Sequence, residues 1–78
     1  MELQAKYIFA KNIKDLREDS DLSQTDVAKL LKISQRAYSH YERGDREMSL
    51  DSLVHIADYY NVSVDYLLGR TNKKEINR

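Results

Sequence analysis

Five side chains in the stretch QRAYSHYER, residues 35–43, have the types and spacing to grip a partner rich in hydrogen-bonding edges. On a helix, with Gln35 at zero, Gln35, Arg36, Ser39, His40 and Arg43 fall at about 0°, 100°, 40°, 140° and 80°. Each can donate a hydrogen bond, and none is a carboxylate. Ala37, Tyr38 and Tyr41 fall at about 200°, 300° and 240°, which gives the same segment an apolar side to bury. An arginine fork suits guanine's paired acceptors, a glutamine amide suits adenine's donor and acceptor, and the major groove of B-DNA admits a helix. The alternative is a merely solvated surface, although such a surface normally mixes both signs of charge.

A reading face of this kind must be carried by a scaffold, and the chain has 78 residues with which to build one. That is a single small domain, with little room for a large catalytic cleft. It has no cysteine, hence no disulfide framework, thiolate zinc site or cysteine nucleophile, and packing alone must hold it. Its 41% hydrophobic and 33% charged residues describe a globular chain. Proline is absent, and only Gly44 and Gly69 interrupt the sequence. Serine supplies the punctuation: Ser23, Ser34, Ser49 and Ser63 each precede a short segment with helical apolar spacing, where a hydroxyl can accept from a first-turn amide. Asp26, three residues after Ser23, makes a short capping box, and Asp51 and Asp65 put negative charge in their helices' first turns.

The apolar stripes are Phe9, Ile13 and Leu16, then Val27, Ala28, Leu30 and Leu31, then Ala37, Tyr38 and Tyr41. A fourth holds Leu50, Leu53, Val54, Ile56, Ala57 and Tyr60, and a fifth Val64, Leu67 and Leu68. The spacing predicts helices over 5–18, 24–31, 35–42, 50–60 and 64–68, and no segment alternates with period two. The fold expected is all-α, a compact five-helix bundle over residues 1–69, followed by a basic, frayed tail at 70–78. Only Lys32, Ile33 and Ser34 separate the second and third helices, so the pair must cross steeply around one shared apolar patch, as in a helix-turn-helix.

Other chemistry is poorly served. His40 and His55 lie on different helices without a third ligand, so no metal or other cofactor is expected. Asp19 and Asp21 end the first helix with no nucleophile or cleft nearby, which argues against an enzyme. The six tyrosines could stack bases, but Tyr38, Tyr41 and Tyr60 fall on buried stripes. No apolar run approaches the roughly 20 residues of a membrane span, and MELQAKYIFAKNIK has no signal-peptide core, so a cytoplasmic location is expected.

Three stretches, IKDLREDSDLSQTDVAKLL, ISQRAYSHYERG and SLDSLVHIADYYNVSVDYLLG, together resemble the Cro and phage-repressor type of helix-turn-helix regulators, also called the xenobiotic-response-element (XRE) type. The resemblance implies that Gln35, Arg36, Ser39 and His40 read bases. It implies phosphate contacts from Gln24 at a helix N-terminus, with Ser23 before it, and from Arg43 and Arg46 along the flanking backbone. It also makes Arg17 and Glu42 a structural ion pair between the first and third helices. Two positions depart from the pattern: Lys32 and Asp21 stand where the family often has glycine. A left-handed lysine costs on the order of 1 kcal/mol, which a packed bundle can absorb.

The function so implied is a sequence-specific regulator of transcription, typically a repressor, bound as a homodimer to a two-fold symmetric double-stranded DNA operator with the third helix in the major groove. Tyr59, Val62, Tyr66 and Leu68 are candidate dimer contacts, unless they only close the core. With no sensor region expected beyond the fifth helix, control falls to protein concentration, proteolysis or a protein partner such as a toxin or antirepressor. The alternative function is an antitoxin-like interaction module that holds a partner protein and binds DNA only secondarily. The formal charge of zero, thirteen basic against thirteen acidic residues, does not oppose a DNA partner once it is placed along the chain. Residues 29–46 carry five basic and two acidic side chains, a net +3, whereas residues 48–69 carry Asp51, Asp58 and Asp65 alone, a net −3.

Overall fold

A computed structural model describes residues 5–75. Five helices follow in order: α1 (Ala5–Asp19), α2 (Gln24–Leu31), α3 (Gln35–Arg43), α4 (Leu50–Tyr60) and α5 (Val64–Leu67). There is no strand among the described residues. The four serines do what their positions predict. Ser23, Ser34, Ser49 and Ser63 cap α2 to α5, each hydroxyl accepting from the backbone N–H three residues on. At α2 the box is reciprocal, the Asp26 carboxylate accepting from Ser23 N–H at 2.9 Å. That bond holds the Asp26 carboxyl below its ordinary range.

The helix ends use left-handed residues. Lys32 (φ 59°), Asn61 (φ 57°) and Gly44 (φ 75°) close α2, α4 and α3, and Asp21 (φ 58°) turns the chain into α2. Ile33 N–H then reaches Ala28 C=O at 3.0 Å and Lys32 N–H reaches Lys29 C=O at 3.1 Å, a Schellman closure that sets the angle between α2 and α3. Lys32 thus adopts the strained conformation that glycine would adopt freely.

The core is one cluster contributed by every helix: Phe9, Ile13 and Leu16 of α1, Val27, Ala28 and Leu31 of α2, Tyr38 of α3, Ile56 and Ala57 of α4, and Leu67 of α5, joined by Val62. Two residues of the expected α4 stripe are not in it. Leu50 is 77% and Val54 51% exposed. Leu53, Ile56, Ala57 and Tyr60 define the buried arc, and Leu50 and Val54 lie roughly 70° and 110° from its centre, away from α2 and α5, which pack on α4. Residues 71–75 are also less free than a frayed tail. Ser63 N–H donates to Lys74 C=O at 2.8 Å, and the Lys74 ammonium stands 5.7 Å from the Tyr66 ring centroid. The remaining tail positions, 76–78, lie outside the described residues.

One tie across the bundle has no counterpart in the sequence pattern. Asn12 on α1 donates to the carbonyls of Tyr66 (3.0 Å) and Leu67 (3.2 Å), satisfying the end of a helix too short to stand alone.

Candidate nucleic-acid interface

Helix α3 is anchored by Tyr38, whose side chain is fully buried on α1, α2 and α4 residues of the core. Burial, with the Glu42 carboxylate beside it, pushes the Tyr38 phenol well above its usual range. The same influence of burial brings the Tyr60 phenol up to about 12. With Tyr38 fixed inward, the opposite side of α3 faces solvent. Gln35, Arg36 and Arg43 are exposed there, and Ser39 and His40 are half-exposed between them. The five side chains predicted to share a face do share one.

The one carboxylate within α3 points away from that face. The Glu42 side chain is 4% exposed and takes Arg17 of α1 in a bidentate pair, Nε at 2.7 Å and Nη2 at 3.1 Å. Arg17 also donates to Leu22 C=O at 2.9 Å, so the pair expected between the first and third helices ties down the loop before α2 as well. Burial alone would raise the Glu42 carboxyl, but hydrogen bonds from Arg17 and Gln24 outweigh it and hold the group below the ordinary carboxylate range.

Gln24 is therefore not simply an exposed amide waiting for a phosphate. Its Nε2 donates to Glu42 at 3.0 Å, and its Oε1 accepts from Gln35 Nε2 at 2.6 Å. Leu22, Arg17, Glu42, Gln24 and Gln35 form one relay from the α1–α2 loop to the first residue of α3. Gln35 uses one N–H in this relay and keeps the other N–H and its carbonyl oxygen, the one donor and one acceptor that adenine's major-groove edge requires. Ser23 spends its oxygen on the cap and retains its O–H as a donor. Arg46 is exposed in the α3–α4 loop.

At the other end of α3 lies a carboxylate that the helical arithmetic does not place. Asp45 stands just beyond the helix and folds back on its outward side, 3.0 Å from Arg43 and 3.4 Å from His40. The face read from the sequence as free of carboxylates thus has one at its C-terminal edge.

The candidate dimer residues separate. Val62 is 3% exposed and belongs to the core, because the left-handed Asn61 turns the chain inward and lets Val62 N–H bond Ala57 C=O at 3.0 Å. Tyr66 and Leu68 are half-buried against the core. Tyr59 is half exposed, with its ring edge-on to Tyr60 at 5.2 Å.

Comparison with known proteins agrees with this fold. The family model described as helix-turn-helix matches residues 13–67. An uncharacterized HTH-type transcriptional regulator of Bacillus subtilis (strain 168), YqaE, is 40% identical over 68 residues, 86% of this chain and 59% of that protein. The HTH-type transcriptional regulator ImmR of the same organism is 38% identical over 60 residues, 77% and 47% respectively. Antitoxin PezA of Streptococcus pneumoniae serotype 4 is 36% identical over 62 residues, 80% and 39%. The chain spans about half the length of the curated relatives it matches. Among solved structures, the restriction-modification controller protein C.AhdI from Aeromonas hydrophila superposes with a TM-score of 0.71 at 26% identity, over 80% of this chain and 94% of that one. No helix among the described residues is long and apolar enough to cross a membrane. With the family model matched from α1 to α5 and relatives that are themselves HTH-type regulators, this chain belongs to the XRE-type helix-turn-helix family of transcriptional regulators.

Proposed function

We propose that the protein is a sequence-specific double-stranded DNA-binding repressor that acts in the cytoplasm as a homodimer on a two-fold symmetric operator, with α3 of each protomer in the major groove. The observation that carries this reading is the outward face of α3. It presents Gln35, Arg36, Ser39, His40 and Arg43 opposite the buried Tyr38, while the helix's own Glu42 is turned in and neutralised by Arg17. In this reading Gln35, Arg36, Ser39 and His40 meet base edges, while Gln24, Ser23, Arg43 and Arg46 meet phosphates and set register. Two half-sites separated by about 34 Å, one helical turn, place two such helices on one side of the duplex. Tyr59, Tyr66 and Leu68 are the contacts proposed between protomers.

Methylation interference on a bound duplex tests the groove. Guanine N7 lies in the major groove and adenine N3 in the minor. Loss of binding on N7 methylation within both half-sites is the expected result. Interference confined to adenine N3 would refute placement of α3 in the major groove.

A second reading has its own observation. The antitoxin relative and the exposed Leu50 and Val54, flanked on α4 by Asp51 and Asp58, favour a module that also holds a partner protein. Binding of a partner protein unaffected by Leu50→Lys and Val54→Lys would remove this surface from consideration.

A further inference from the structure

Asp45 lies outside α3, yet the backbone fixes where its side chain can go. Gly44 closes α3 at φ 75°, with Gly44 N–H donating to Tyr41 C=O at 3.2 Å and Asp45 N–H donating to His40 C=O at 3.0 Å. This closure returns the chain over the last turn of the helix. Asp45 Oδ2 then stands 3.0 Å from Arg43 Nε and 3.4 Å from His40 Nδ1, while Arg43 Nη2 lies 2.8 Å from His40 Nδ1. Three side chains form one cluster with Arg43 as the common donor, Nε to Asp45 and Nη2 to His40 Nδ1, which as an acceptor has no proton to give the carboxylate. Of the five outward-facing side chains, Arg43 is held by Asp45 directly and His40 through Arg43. Arg36, in the middle of the face, has no ion pair among the described residues.

A carboxylate here is the wrong sign for a surface that approaches phosphates, so its presence calls for a use. An exposed ion pair is weak, and a well-placed guanine or phosphate can displace it. On unselected DNA, however, it competes for Arg43 at every encounter. We infer that Asp45 is a specificity-determining positioning residue: it occupies Arg43, which in turn donates to His40, so that Arg43 is released to DNA chiefly where the rest of α3 fits. This rests on the DNA-binding reading above. Asp45 itself need not touch DNA; it acts through Arg43.

The experiment compares wild type with Asp45→Asn, Asp45→Glu, Glu47→Gln, Arg43→Gln and the Arg43→Gln/Asp45→Asn double variant. Affinity is measured against salt on a selected duplex and on a scrambled one, with thermal midpoints as the check on folding. Asp45→Asn is expected to bind the scrambled duplex roughly fivefold more tightly, with a salt slope steeper by about one, because the freed Arg43 neutralises a further phosphate. The ratio of selected to scrambled affinity falls accordingly. Asp45→Glu, which can still reach Arg43, keeps the wild-type ratio. Glu47→Gln removes a neighbouring negative charge outside the cluster and should leave the slope unchanged. In the Arg43→Gln background, Asp45→Asn should have no further effect. The inference fails if Asp45→Asn and Glu47→Gln behave alike, or if the Asp45→Asn effect persists undiminished without Arg43. A wild type that does not distinguish the two duplexes overturns the DNA reading itself, a result separable from either of these.

Discussion

Arg36 and Arg46 are both exposed arginines, but the proposed complex gives them different relations to the duplex, and different measurements separate them. Arg36 projects from the first turn of α3 and is placed to meet guanine, so Arg36→Ala should cost about 1–3 kcal/mol on the preferred site and relax specificity at one position per half-site. In the proposed complex Arg46, in the loop after α3, meets backbone. Arg46→Ala should weaken all duplexes alike and reduce the salt slope by roughly one, and an unchanged slope would remove it from the footprint. Glu42 works behind the face. Because its folded-state pKa lies below the ordinary carboxylate value, its stabilising contribution is complete above that ordinary value and is lost as pH falls through the folded-state one. Denaturant titrations should show stability declining over that acid range, with the decline smaller in Glu42→Gln. Glu42→Ala should cost about 3 kcal/mol at neutral pH, since it strands Arg17 and Gln24 together. The outward polar face of α3 and the Arg17–Glu42 pair were legible in the sequence, because helical periodicity and family resemblance bear on single positions. The Gln24–Gln35 link was not. It joins side chains from two helices, and periodicity along one helix carries no information about a crossing.

At the scale of the elements, the caps decide most. Four serines before four apolar segments made α2 to α5 readable almost to the residue, since the first turn of a helix has donors that a hydroxyl must satisfy. The C-terminal closures are where substitutions should have clear signs. Lys32 holds φ 59° without glycine's freedom, so Lys32→Gly should stabilise the fold by about 1 kcal/mol in thermal or denaturant unfolding. Gly44→Ala should do the opposite. Its Cβ would come within 2.8 Å of the Tyr7 ring in addition to the strain at φ 75°, and it would disturb the turn that presents Asp45. A Gly44→Ala variant as stable as wild type would contradict both points. The α4 stripe shows what periodicity leaves out. Leu50 and Val54 fit a helical repeat, yet burial depends on what packs opposite, and the neighbouring helices cover only the arc around Leu53, Ile56, Ala57 and Tyr60.

Across the whole molecule, charge is segregated and its average is uninformative. The +3 of residues 29–46 belongs to the α2–α3 side that carries the outward polar face of α3, and the −3 of residues 48–69 to α4 and α5. A protein of zero net charge gains little from the non-specific attraction that a uniformly basic one enjoys, so base contacts must carry a larger share of its affinity. That makes discrimination, more than binding, the property to measure. Two-fold association is the corresponding expectation for assembly. Sedimentation equilibrium should show two protomers on one operator, and a single protomer both free and on DNA would overturn the homodimer. The central claim, that the outward face of α3 reads bases, is tested most directly by selecting bound sequences from random duplex DNA with wild type, Gln35→Ala and Arg36→Ala in parallel. Wild type should return a site with two inverted half-sites, and each variant should lose preference at a different position in both halves. The same consensus from all three proteins, or no enriched sequence from wild type, would contradict it.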